Sequence, residues 1–233
     1  MPIAALQFGS IGSIAETSDV QRRAYNQALR EAGLDWVWDR DTYADLLEQS
    51  GGKERLAMLS AATGGKLTPS QIDAVHARKT EIACAELVAN GLTLRPGVGE
   101  LIALAKQRGI RLGFVTTTYQ ANIDAIFAAA GDALSASDFD YIVARDAVTN
   151  GKPAPDAYLV TLAAMGVTAS DALAIEDTAV SVMSAKRAGI TTIATPGAIT
   201  AGQDFWQADL VVAELAGADG KLDPRVIALL DGG

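Results

Sequence analysis

Three short stretches of this chain carry residues suited to holding a phosphate and a cation. Thr116, Thr117 and Thr118 follow an apolar run that ends at Val115, and hydroxyls joined to backbone amides at a helix start form a cradle for a phosphate. Lys152 stands in Asn150-Gly151-Lys152-Pro153-Ala154-Pro155-Asp156, where two prolines fix the loop and aim the ammonium ahead of a helix. Glu176 and Asp177 come directly after the apolar run 172–175, and adjacent acids there suit a hard cation such as magnesium. Each stretch also has a plainer reading. Threonines at a strand end often cap helices, a loop lysine is usually solvated, and Asp177 could cap the helix that follows. A fourth stretch, Phe8-Gly9-Ser10-Ile11-Gly12-Ser13, closes the first apolar run with a tight glycine-rich turn, yet it offers only glycine, serine and isoleucine where a ligand crevice would want an acid, a base or a nucleophile.

The elements that must position these loops follow from periodicity. The run 3–8 reads as a buried strand, and the texture then turns helical. A helix opens at Thr17 and Ser18 and ends at Gly33; a polar-aromatic segment and Gly51-Gly52 precede a helix over 53–62; Thr68 and Pro69 open a longer helix that ends near Asn90 and Gly91. From 93 onward strands and helices alternate, with strands expected over 111–115, 141–143, 172–175, 191–194 and 209–212 and helices over 97–107, 120–129, 155–165 and 179–188. Such alternation predicts an α/β fold, a doubly wound parallel sheet covered on both faces. The first strand belongs to that sheet. The expected organisation is therefore a core of 1–16 and 93–233 with an all-helical insertion over 17–92.

Composition narrows the partners. The 233 residues are 49% hydrophobic and 20% charged, ordinary for a globular chain, with apolar runs too short to span a membrane. A formal net charge of −9 argues against nucleic acid or an anionic membrane, since a phosphate backbone would meet a repulsive field. A small anion can still bind a local group of lysines. Cys84 is the only cysteine, which excludes an internal disulfide and suits a reducing compartment, and the first basic residues are Arg22 and Arg23, so no cationic leader is evident; a cytoplasmic location is expected.

Taken in order, the loops resemble the haloacid dehalogenase (HAD) superfamily, and within it the CbbY-like sugar-phosphate phosphatases and the related β-phosphoglucomutases. The resemblance spans nearly the whole chain: Leu94-Arg95-Pro96-Gly97-Val98, Val115-Thr116-Thr117-Thr118, Gly151-Lys152-Pro153-Ala154-Pro155-Asp156 and Ile175-Glu176-Asp177-Thr178. Glu16-Thr17, Trp38-Asp39-Arg40 and Gly51-Gly52-Lys53-Glu54-Arg55 point to the CbbY branch. The resemblance implies a Rossmann-like core with a helical cap. It implies that Thr116 and Thr117 bind the phosphoryl group, that Lys152 neutralises it, and that Glu176 and Asp177 hold Mg²⁺. From the cap, Glu16, Lys53, Arg55 and Lys79 are implied as substrate contacts. The partner implied is a small phosphorylated sugar, with a monomer expected over an oligomer.

The departures bear on activity. The family's first strand ends in Asp-x-Asp-Gly-Thr, whose first aspartate is the nucleophile and whose second is the general acid and base; the corresponding positions here are Gly9 and Ile11. Glycine cannot attack phosphorus, and Ser10 between them should point away from the site in an extended backbone. Losing the acid/base alone costs about 10² to 10⁴ in rate, and losing a covalent nucleophile closes that route. Mg²⁺ binding is expected to be weak or absent, because one of its carboxylates goes with the nucleophile. Gln21 replaces a histidine of the family's first cap helix, Ala83 stands where relatives tend to carry an aromatic residue, and the one histidine, His76, reads as a surface or cap-packing residue. Three readings follow: a catalytically silent phosphosugar binder, a metal-dependent phosphatase in which Glu176 or Asp177 activates water directly, and a structural or interaction protein.

Overall fold

Six short apolar runs form a single parallel sheet. They are β1 (Ala5–Gly9), β2 (Arg111–Val115), β3 (Tyr141–Val143), β4 (Ala172–Glu176), β5 (Thr191–Ala194) and β6 (Leu210–Val211), in the spatial order β3-β2-β1-β4-β5-β6. A computed structural model describes residues 2–9, 11–65 and 67–233, with Ile11 described by its backbone alone. β1 lies in the middle, paired in parallel with β2 on one side and β4 on the other, so the order reverses around it. Such a reversal opens a crevice at the carboxyl ends of the strands, where the first turn and the Thr116, Lys152 and Glu176 loops meet.

The sheet is buried on both faces, as its continuous apolar strands require. Alternation divides the side chains between two layers. Leu6, Phe8, Leu112, Phe114, Leu173 and Ile175 pack toward α6 (Val98–Gln107), α7 (Gln120–Ala130) and α10 (Pro224–Leu230). Ala5, Val115, Ala172 and Ala174 pack toward α8 (Asp156–Met165) and α9 (Ala179–Arg187). Small residues on the second face bring those helices close to the strands. Gln7, Gly9 and Glu176 share that face by the same alternation.

Gln7 is fully buried, and among the described residues neither its amide nitrogen nor its amide oxygen has a hydrogen-bond partner. An orphaned buried polar group costs about 1–3 kcal/mol, so Gln7→Leu, similar in volume, is expected to raise the urea midpoint by a stabilisation of that order. An unchanged or lowered midpoint would mean that the amide is satisfied after all.

The helical region follows the first strand. A short helix α1 (Ile11–Ile14) leads to α2 (Ser18–Glu31), α3 (Arg40–Leu46), α4 (Gly52–Ala62) and α5 (Pro69–Asn90) before the chain re-enters the sheet. Tyr25, Leu29, Trp38, Tyr43, Leu56 and Val75 of this segment form a second apolar cluster that Ile199 joins, with the tilted Tyr25 and Trp38 rings 4.4 Å apart between centroids. α5 begins at Thr68 and Pro69 as expected, and a capping box is added there, Thr68 and Gln71 satisfying each other's backbone amides.

Four expectations need correction. The glycine-rich turn after β1 is instead the helix α1, wound tightly enough for Gly12 and Ser13 to face the next strand's acids. The polar-aromatic segment contains α3, started by Asp39, whose carboxylate accepts from the Thr42 amide at 2.8 Å. α10 near the end was not anticipated, because seven residues carry too little periodicity to register. β4 runs one residue further than its apolar pattern, and that residue is Glu176. Among the described residues no helix is long and apolar enough to cross a membrane.

Candidate functional site

The crevice predicted by the strand order exists as a cavity of about 150 Å³ between the carboxyl edge of the sheet and the helical segment. Its floor is built from Gly12, Thr116, Thr117, Lys152, Glu176 and Asp177, and its roof from Gln21, Tyr25, Arg55, His76 and Lys79. Seven of the nine residues expected to contact phosphate, substrate or metal therefore meet here: Thr116, Thr117, Lys152, Glu176, Asp177, Arg55 and Lys79. Two lie elsewhere. The Glu16 carboxylate accepts from the Ser18 and Ala198 amides, each at 3.1 Å, and braces the start of α2 against a core loop. Lys53 pairs with Asp73 at 2.7 Å near the Tyr119 ring, outside the lining.

The floor is held by strand ends and one buried arginine. Thr116 is buried, and its hydroxyl accepts from the Thr118 amide at 3.0 Å, so the loop is already turned as a phosphate cradle would need. Arg95 donates to the Gly12 carbonyl at 2.9 Å and to the Ala213 carbonyl at 2.7 Å, while pairing with Glu214 at 3.0 Å. It fixes the first turn against the far side of the sheet. Lys152 donates to the Val115 carbonyl at 3.2 Å and forms a buried ion pair with Glu176. Tyr158, one turn into α8, donates to the same Glu176 oxygen, Oε1.

The position of Glu176 follows from register. Phe8 pairs with Ile175, so the next residues, Gly9 and Glu176, sit side by side with side chains on one face. A Cβ added to Gly9 would fall on the Glu176 carboxylate, with even its most distant oxygen, Oε1, only 2.8 Å away. A Cβ on Gly12 would likewise fall on the Asp177 carboxylate. The two glycines are the space into which the two acids fold. Ser13 bridges them, its hydroxyl 3.3 Å from Asp177 Oδ1 and 3.5 Å from Glu176 Oε2. Burial, and after it the Glu176 charge, push the Asp177 carboxyl up to about 7. Ser10 and the side chain of Ile11, both part of the expectations for this turn, lie outside the described residues.

The Mg²⁺ site implied by the family can be tested on this geometry. Magnesium wants near-octahedral oxygen ligands with carboxylates free to face it. Glu176 Oε1 instead carries a lysine ammonium and a phenol, and its other oxygen fills the Gly9 space. Among the described residues no group of three or more His, Cys, Asp or Glu side chains converges as a metal site. The donor set does not fit the ion in this arrangement.

The roof is different. Among the described residues no carboxylate lies within salt-bridge distance of Arg55 or Lys79. Arg55 donates to the Gln49 carbonyl at 2.8 Å and lies over the Tyr43 ring, and Lys79 lies 4.8 Å from the centre of the Tyr25 ring. Glu54, the acid of this wall, folds back on the Gly51 backbone at the start of α4. Gln21 Oε1 and the Tyr25 hydroxyl are buried in the lining without a hydrogen-bond partner among the described residues. His76 is buried in the same wall rather than on the surface, and burial, with Lys79 next, pushes its imidazole down to about 4. It is neutral at physiological pH.

Burial, followed by the Arg55 charge, lowers the Lys79 ammonium to about 7. An unfolded chain keeps that proton to about 10.4, so between these values the unfolded state binds more protons than the folded one. Stability should therefore rise from pH 7 to pH 10, and below pH 7 the cost of burying the charge stays in full. Thermal melts of wild type and Lys79→Met across this range are expected to show the rise in the first and its absence in the second.

Sequence reasoning overlooked Tyr158, Tyr25 and Arg145, a further cation of the lining. Tyr158 and Tyr25 sit in apolar helical patterns and read as core. His76 had a usable signal, because its i, i+3 spacing from Lys79 places both on one face of α5.

Comparison with known proteins agrees with this geometry. Residues 5–189 match the family model described as a hydrolase, haloacid dehalogenase-like hydrolase. Protein CbbY of Rhodobacter capsulatus is 39% identical over 97% of this chain and 100% of its own length. The plasmid-borne protein CbbY of Cupriavidus necator is 41% identical over 91% of this chain and 85% of its own. Among solved structures, a mutant CbbY from Rhodobacter sphaeroides in complex with xylulose-(1,5)bisphosphate superposes with a TM-score of 0.85 at 38% identity, covering 95% of this chain and 99% of that one.

Proposed function

We propose a binding role without phosphoryl transfer for this chain, which belongs to the haloacid dehalogenase-like hydrolase family and, within it, to the CbbY-like branch. In this reading the helical segment 17–92 acts as a cap over a core of 1–16 and 93–233, and a phosphorylated sugar is held in the cavity between them. The observation that carries the reading is the composition of the cavity wall. Among the described residues Arg55 and Lys79 have no acidic partner, an anion beside Lys79 would hold its ammonium protonated, and the Gln21 and Tyr25 polar atoms next to them lack hydrogen-bond partners such as a hydroxylated anion would provide. Relatives named CbbY, one of them solved with a sugar bisphosphate, support that ligand class.

Catalysis is argued against by position 9. Gly9 provides no nucleophile, and the space of its missing side chain is filled by a carboxylate already committed to Lys152 and Tyr158. The purified protein, given Mg²⁺ and a panel of sugar phosphates and a chromogenic phosphate ester, is expected to show no turnover above background. The same sugar phosphates should raise its melting temperature, at 100 times Kd by a stabilisation of about 2.7 kcal/mol, and Arg55→Ala should remove the shift. Turnover abolished by Asp177→Ala would overturn the silent reading in favour of direct water attack. No thermal shift with any phosphorylated ligand would favour a structural role.

A further inference from the structure

We propose that Glu176 makes the floor of this cavity unreceptive to a phosphoryl group, so that the ligand is a sugar monophosphate that places its phosphate at the cap and a neutral, hydroxyl-bearing end on the core. The inference rests on the phosphosugar-binding reading and sharpens it.

The argument begins with the space at Gly9. Because β1 and β4 pair with Phe8 opposite Ile175, the Glu176 side chain crosses directly over Gly9, and any larger residue at position 9 would collide with it. There the carboxylate forms its ion pair with Lys152, both side chains being nearly inaccessible at 1% and 4% exposure. Lys152 is the cation at the Gly9 end of the floor, and its charge is thus matched by a resident anion in direct contact. A phosphate approaching Lys152 meets the Glu176 charge at a comparable distance, so attraction and repulsion offset each other. Asp177 lies alongside and adds no positive charge. Beside Lys152 the hydroxyls and amides of Thr116 and Thr117 remain to contact a ligand, and they suit a neutral sugar hydroxyl as well as an anion; Arg145, whose amide donates to the Thr118 carbonyl, turns its guanidinium to the Val148 carbonyl at 2.9 Å.

The opposite wall has the complementary character. Arg55 and Lys79 have no acidic partner among the described residues, and Gln21 and Tyr25 present unsatisfied polar atoms beside them. The charge asymmetry therefore sets an orientation, with the anion up and hydroxyls down. A second phosphate on the ligand would have to displace Glu176 from Lys152 and Tyr158. At about 150 Å³ the cavity also lies below the roughly 300–1,000 Å³ usual for drug-sized ligands, which favours the smaller molecule.

The test compares xylulose 5-phosphate with xylulose 1,5-bisphosphate by titration calorimetry on the wild-type protein and on Glu176→Gln. Wild type is expected to bind the monophosphate at least as tightly as the bisphosphate. In Glu176→Gln, with Lys152 released, the bisphosphate should gain on the order of tenfold while the monophosphate changes by less than about twofold. A wild-type preference of tenfold or more for the bisphosphate, or a ratio unchanged in the variant, overturns the inference and leaves phosphosugar binding standing. Absence of binding by either ligand overturns the phosphosugar reading itself and the inference with it. Should Glu176→Gln fail to fold, the wild-type ratio decides the case alone.

Discussion

Lys152→Met is expected to destabilise the protein by about 3–5 kcal/mol, a fall in melting temperature on the order of 10 °C. The reason is the residue it abandons. Glu176 is almost wholly inaccessible, and its Oε1 accepts from Lys152 and Tyr158; without the lysine, a buried negative charge keeps only a phenol and a distant serine hydroxyl. Glu176→Gln should also destabilise, since it strands the ammonium. The double variant Lys152→Met/Glu176→Gln buries no unpaired charge and is expected to regain most of the loss, leaving a deficit of about 1–2 kcal/mol. Urea unfolding of the four proteins measures the coupling. Simple addition of the two single losses would show that the pair does not act as a unit.

The second large effect is at the neighbouring strand. Gly9→Asp places a carboxylate where the family carries its nucleophile, yet in this fold it should cost about 2–4 kcal/mol and restore no phosphatase activity. The new Cβ would displace the Glu176 carboxylate from Lys152, and two buried acids would then compete for one ammonium. Three acids would also converge, at positions 9, 176 and 177, and millimolar Mg²⁺ should recover part of the stability by binding them. Wild type, whose Glu176 is engaged by Lys152, should show no comparable gain. A Gly9→Asp variant as stable as wild type without metal would mean that Glu176 readily leaves the space, and the account of the floor given above would fail.

These two substitutions probe one exchange from its two sides. Gly9 leaves room beside β4, and Glu176 has a side chain that uses the room. A carboxylate at position 9 alone therefore does not give the arrangement of charge that the family resemblance implies. Whether activity follows depends on moving Glu176 as well.

Much of the fold was legible in the chain. Apolar runs of three to five residues alternating with helical periods from 93 onward announce a parallel doubly wound sheet, because such strands are stable only when helices cover both faces. Thr68-Pro69 marked the start of α5, and the loops bearing Thr116, Lys152 and Glu176 fell at carboxyl ends of strands, as the topology requires. The absence of carboxylates at positions 9 and 11 is a plain fact of composition. Short elements such as α1 and α10 escaped because they hold too few residues to show a period.

What the sequence determined, then, was the sheet, the helical insertion and the identity of the loops at the crevice. Only the tertiary structure decided which side chains share it. Glu16 and Lys53 stand near other candidates in sequence but satisfy a helix start and a surface acid, whereas Tyr158 joins the site from an apolar helix. Above all, the glycine at position 9 reads in sequence as an empty place, and in the fold that place is taken. The physical reason is non-local: the register of β1 against β4, across more than 150 residues, puts Glu176 over Gly9, and the packing of α8 brings Tyr158 to meet it, relations that no local pattern encodes.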